Sequence, residues 1–305
     1  MENETKNESS VHIGVLVLTV AVTSYFAYFA GQGTSKTNPV PQKEVESASF
    51  SIPVKLGDLG IKMISVGIID AEKFEELYKT RGGLTNETRE LLYGAQNDSI
   101  KITSENSGII LNLLWALGLG NKNPILENGP MMDQHYGGAG GFASTGGWTL
   151  AENDAMDHYS RHPLIVLTSE QQKLVERVSK NIYRPCCNNP TYFPDCNHGM
   201  AMLGLLELMA SQGASEEEMY KTALQVNTLW FPEEYSTIAR YFASKNQTLS
   251  EIDPKEILGP QYSSASGFRR IAALVPQTES QGGSGGCGID NEQPAVPRQK
   301  SGCGI

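Results

Sequence analysis

Apolar and polar positions divide this chain into an unbroken apolar run, a long stretch of helical patterning and a polar end. Residues 11–30 (VHIGVLVLTVAVTSYFAYFA) contain no Lys, Arg, Asp or Glu. As a helix rising about 1.5 Å per residue they would span roughly 30 Å, the hydrocarbon thickness of a bilayer. Tyr25, Phe26, Tyr28 and Phe29 crowd the far end, where an aromatic belt would lie. The preceding residues 1–10 carry three Glu and one Lys, so the basic start of a cleaved signal is missing. The pattern predicts a single transmembrane anchor. Residues 31–49, polar with two prolines, read as a linker.

From residue 50 to 275 the pattern predicts a mainly α-helical body. Asp70 caps a segment with apolar residues at 74, 77 and 78. Thr85 precedes a short helix ending near Gly94. Residues 104–118 are apolar on nearly every face and stop at glycines. Thr168 with Gln171, and Ser215 with Glu218, form capping boxes for two more helices. Residues 199–212 are again apolar all round, which predicts a central buried helix. Pro232 suits the first turn of another. Strand patterning is confined to residues 50–54, 62–69 and 100–103. Residues 276–305, rich in Gly, Ser, Gln and Pro, are expected to be a disordered tail.

The formal charge is −10, and no Lys/Arg run rises above it, so nucleic acid is not an expected partner. The glycine-rich residues 136–148 lack the Gly-Lys-Ser/Thr of a phosphate loop and predict a close-packed or mobile loop around aromatics. No Gly-x-Ser-x-Gly or His-Glu-x-x-His occurs. Whether the chain is an enzyme therefore rests on its cysteines.

None precedes Cys186. Then Cys186, Cys187, Cys196 and His198 fall within thirteen residues, in a loop stiffened by Pro185, Pro190 and Pro194. Three thiols and an imidazole are a soft tetrahedral ligand set suited to Zn²⁺ or Cu(I). Adjacent cysteines do not easily turn both sulfurs toward one ion, which keeps two other readings open: a thiol–disulfide pair, and a structural disulfide stapling the loop. Met200, His135, His158 and His162 are secondary candidates. His158 and His162 would share one helix face, although Pro163 ends any helix there. Gly-Cys-Gly-Ile occurs twice in the tail, placing Cys287 and Cys303 as thiols that could serve the body.

Arg184-Pro-Cys-Cys-Asn-Asn, then Asp195-Cys-Asn before an apolar helix, then Gly213-Ala-Ser-Glu-Glu-Glu-Met, resembles the thiol subunit of the cytochrome c maturation haem lyase. The likeness covers about fifty residues. It implies a membrane-anchored helical domain that faces away from the cytoplasm and reduces protein thiols, with Cys186 and Cys187 as its reactive pair. That family separates the pair by two residues, and here the two are neighbours. The slight excess of Lys after the span leans the opposite way on orientation. Cys187 to Cys196 with Phe193-Pro194 also resembles part of the iron–sulfur CDGSH motif. The first spacer is absent and His198 comes two residues early, so a [2Fe–2S] cluster is not expected. Three functions follow: a membrane-anchored metal-handling protein that exchanges metal with a protein partner; a thiol–disulfide oxidoreductase or cytochrome assembly factor; and a non-catalytic interaction protein.

Overall fold

A computed structural model of the chain describes residues 49–95 and 98–275. The chain divides into two units, residues 1–46 and 47–305, and every described residue belongs to the second. The anchor expected at 11–30, the linker expected before residue 49, and residues 276–305 with Cys287 and Cys303 lie outside the described residues. Among those described, no helix is long and apolar enough to cross a membrane.

The body is mainly helical, as its patterning predicts. A two-stranded antiparallel sheet pairs β1 (Ser49–Ile52) with β2 (Ile100–Thr103) in the register Phe50 to Ile102 and Ile52 to Ile100. Its buried residues Ile52, Ile100 and Ile102 face the core. Between the strands lie α1 (Leu59–Ser65), α2 (Ala71–Lys79) and α3 (Asn86–Tyr93). The carboxylate of Asp70 accepts from the N–H groups of Glu72 and Lys73 and starts α2, while Thr85 caps α3. The strand expected at 62–69 is instead α1 followed by a turn. Its apolar spacing fits either period, and packing decides. A Cβ on Gly60 would lie 2.2 Å from the Leu91 carbonyl, so α1 rests backbone-to-backbone on α3. Gly67, at φ +78°, then turns the chain into buried Ile68 and Ile69.

The centre is a helix pair, α4 (Ser107–Gly120) and α6 (Asn197–Ser211), with α5 (Ser169–Ser179) beside α6. Both central helices are apolar on all faces because both are surrounded by protein. Glycines let them touch. A Cβ on Gly118 would stand 2.1 Å from the Met200 carbonyl, and one on Gly204 2.3 Å from the Leu114 carbonyl. The predicted capping boxes open α5 at Thr168 and α7 (Glu216–Trp230) at Ser215. Pro232 opens α8 (Pro232–Ala243), and α9 (Ala265–Ala272) closes the described chain. A main apolar core surrounds α4 and α6. A smaller one gathers Phe231, Tyr235, Ile238, Phe242 and Ile257.

One carboxyl group lies deep inside the described fold. Glu207, fully buried midway along α6, accepts from the side-chain amides of Asn121 (3.1 Å) and Asn123. Those amides cannot flip. The Asn121 oxygen accepts from Ile165 N–H, and the Asn123 oxygen from Ile125 N–H and the Gln172 amide. Burial overrides the two donated bonds and pushes the Glu207 carboxyl up to about 8.

Candidate metal centre

The loop between α5 and α6 is held at many points. Tyr183 N–H donates to the Leu258 carbonyl, Thr191 N–H to Ile182, and Ser144 N–H to Asp195. The last bond brings in the glycine-rich segment at residues 136–148. The Trp115 indole donates to the Ser144 carbonyl, and Tyr136 and Phe142 pack on Phe193. From the other side, α9 begins against the loop: Ala265 N–H reaches the Cys187 carbonyl at 2.9 Å, and Ser266 N–H the Asn188 side chain at 2.8 Å.

Within this frame Arg184–Cys187 forms a tight turn. Cys187 N–H bonds the Arg184 carbonyl, and Pro185 holds the second position. Tight turning here brings both neighbouring sulfurs to one side, against the expectation that adjacent cysteines diverge. The sulfur of Cys196 lies 3.5 Å from that of Cys186 and 3.7 Å from that of Cys187, and all three fall within 4.8 Å of one another. Three sulfurs around one ion at a metal–sulfur distance of 2.3 Å stand about 3.8–4.0 Å apart, so the trio is close to ligating geometry without rearrangement. The three are thiols rather than disulfide partners, so the stapled-loop arrangement is not the one seen. Cys187 and Cys196 are buried. Cys186 is partly exposed and packs on the smaller apolar core.

Cys196 is the N-cap of α6, and its side chain caps no backbone N–H. The sulfur is therefore available while still at the positive end of a fifteen-residue helix. Hydrogen bonds from Cys186 and Cys187, with Arg184 nearby, hold its thiol well below the ordinary cysteine range despite burial. Cys187 moves the opposite way. A bond from Cys186 is outweighed by the proton it shares with Cys196 and by burial, so its thiol is raised.

Arg184 is fully buried beside the thiols, a position that the cysteine spacing does not announce. One guanidinium nitrogen lies 3.0 Å from the Cys187 sulfur and 3.5 Å from that of Cys196, and another donates to the Thr191 hydroxyl. The guanidinium is nearer Cys187, yet the negative charge rests on Cys196, because two thiols donate to that sulfur and a helix begins there. Burial opposes the charge of Arg184, but the cysteines and Asp195, 3.6 Å away, outweigh it and keep it protonated. Asp195 itself is raised by burial and by the anion on Cys196. Gly199 makes the room: a Cβ there would sit 2.7 Å from the Arg184 guanidinium. An arginine two residues before the cysteine pair, with a glycine in the first turn of the following helix, was the sequence signal for this cation. Around the thiols, Arg184 Nε, Asp195 Oδ1, Asn197 Oδ1 and His198 Nδ1 are buried without a hydrogen-bond partner.

The other candidates part company here. His198 packs on Phe231 and Trp230, with ring centroids 4.5 and 5.6 Å away, and does not join the compact ligand group. Met200 is buried one turn further along α6, its N–H bonded to the Cys196 carbonyl. His135 is exposed beside Tyr136. His158 and His162 do meet, Nδ1 to Nε2 at 3.0 Å, although their backbone is a turn that follows a 3₁₀ helix ending at Asp157 and not the shared helix face expected. They do not reach the thiols. His162 bridges to Asn121, which bonds Glu207, and Glu207 is eleven residues, about 16 Å, along α6 from Cys196.

No known protein-family model matches the chain, and neither does any curated protein or solved structure.

Proposed function

We propose that this protein binds a soft metal ion, Zn²⁺ or Cu(I), through Cys186, Cys187 and Cys196. The approach of three sulfurs to within 4.8 Å of one another around a buried cation carries the reading. A metal–thiolate shell needs deprotonated sulfurs, and deprotonation of buried thiols needs positive charge close by. Arg184 supplies it permanently, and the N-terminus of α6 adds to it at Cys196. The membrane segment expected at residues 11–30 would make this a tethered metal-handling protein, passing its ion to or from a partner through the side where Cys186 is exposed.

Elemental analysis of the protein purified without added metal tests the reading. One equivalent of metal per chain, lost in Cys196→Ser, is the expected result. Absence of metal before and after incubation with Zn²⁺ and with Cu(I) would remove it.

Thiol–disulfide exchange is the second reading, favoured by the 3.5 Å between the sulfurs of Cys186 and Cys196 together with the exposure of Cys186. A metal-free protein whose Cys186 forms a mixed disulfide with a small disulfide reagent, resolved by Cys196, would favour it over metal binding.

A further inference from the structure

The ligand set predicted from the sequence is tetrahedral, with His198 as its fourth member. We infer instead that the centre is three-coordinate and all-sulfur, built for a thiophilic ion content with three ligands, Cu(I) being the type, rather than for zinc in a closed four-ligand site. The inference rests on the metal-binding reading above and concerns only the number and kind of ligands.

A fourth ligand must stand near every sulfur. With metal–sulfur bonds of 2.3 Å and a metal–nitrogen bond of 2.0–2.1 Å, a tetrahedral centre places the nitrogen about 3.6 Å from each of the three sulfurs. Among the described residues, no histidine, aspartate or glutamate offers an atom within 4.8 Å of all three. Aromatic contacts fix the His198 ring against Phe231 and Trp230, and it stays outside the compact group of three sulfurs. Asp195 is turned to Arg184 and to Asn189, whose amide donates to it at 2.7 Å.

Arg184 also fits an all-sulfur shell. Its N–H groups lie against two of the sulfurs, where they spread the negative charge of three thiolates bound to one ion. Thiolates suit both ions, but Cu(I) accepts three of them, whereas zinc in structural sites almost always takes four ligands.

X-ray absorption of the full chain loaded with one equivalent of Cu(I), with a parallel titration of Zn²⁺, tests this. Three sulfur neighbours and no outer-shell imidazole scattering are expected. His198→Ala should keep Cu(I) affinity within about twofold, because its ring lies outside the ligand group. Cys196→Ser should lose roughly 100-fold or more, since removing a ligand costs more than the 10–100-fold lost with a ligand's hydrogen-bond partner. Circular dichroism of that variant checks that it still folds, and Cys187→Ser, which leaves the N-cap intact, should show the same loss. Imidazole scattering that vanishes in His198→Ala would overturn the inference while leaving the metal reading intact. So would a fourth sulfur that vanishes in Cys287→Ser or Cys303→Ser, or Zn²⁺ bound as tightly as Cu(I). Failure of both ions to bind would remove both readings at once.

Discussion

Glu207→Gln should change the pH dependence of this protein's stability more than its stability at any one pH. In the native state the carboxyl titrates near 8, against an ordinary value of 4.5. Between those values the folded chain holds a proton that the unfolded chain has released. Stability contributed by that proton is therefore complete below pH 4.5, falls as pH rises, and is gone above 8. A difference of about 3.5 pH units at 1.36 kcal/mol each corresponds to roughly 5 kcal/mol across the window. Glutamine cannot ionise, but its NH₂ must face one of two pinned asparagine amides, a pH-independent cost of about 1–3 kcal/mol. The two stability curves should therefore cross. The variant should be less stable than the wild type near pH 5, and more stable by a few kcal/mol above pH 8. Urea denaturation followed through buried Trp115 and Trp148, at pH steps from 5 to 9, measures both curves. His158 and His162, whose imidazoles burial holds below the ordinary range, contribute the opposite slope up to pH 6.5. They are present in both proteins and cancel in the difference. Parallel curves would refute the reasoning and mean that Glu207 stays ionised in the core.

Gly204→Ala should destabilise by about 1–3 kcal/mol through overpacking, despite the better helix propensity of alanine, because its methyl would meet the Leu114 carbonyl; the urea midpoint reads this. Arg184→Met should leave the buried thiols without their cation, so iodoacetamide labelling of Cys196 at pH 7 in the metal-free, urea-free protein should slow by about tenfold or more. Ser215→Ala removes the hydroxyl that accepts from Glu218 N–H, keeps the bond from Ser215 N–H to the Glu218 carboxylate, and should cost about 1 kcal/mol, again by urea titration.

Local chemistry made much of this fold readable from the chain. Caps at Asp70, Thr85, Thr168 and Ser215 act on backbone groups two or three residues away, so their effect needs no tertiary contact. All-round apolar segments at 107–120 and 197–211 could only be buried helices, whatever lay beside them. Short helices that start at Pro124, Pro254 and Pro260 carry their signal in the proline alone, too little local patterning to mark a helix. Residues 62–69 pattern as a strand because eight residues hold too few periods to separate helix from strand. The touching backbones at Gly60 settled them.

The site divides in the same way. Sequence spacing alone singled out Cys186, Cys187 and Cys196, which fall within eleven residues. It could not determine which polar group would join them. Sequence proximity favoured His198, two residues from Cys196, but a side chain's direction is set by what it packs against, and the rings of Phe231 and Trp230 come from a distant helix end. Convergence of adjacent sulfurs, and the burial of Arg184 beside them, depend on the turn at Pro185, the space at Gly199 and the docking of α9 on the loop. Those contacts join residues far apart along the chain, and only the folded protein brings them together.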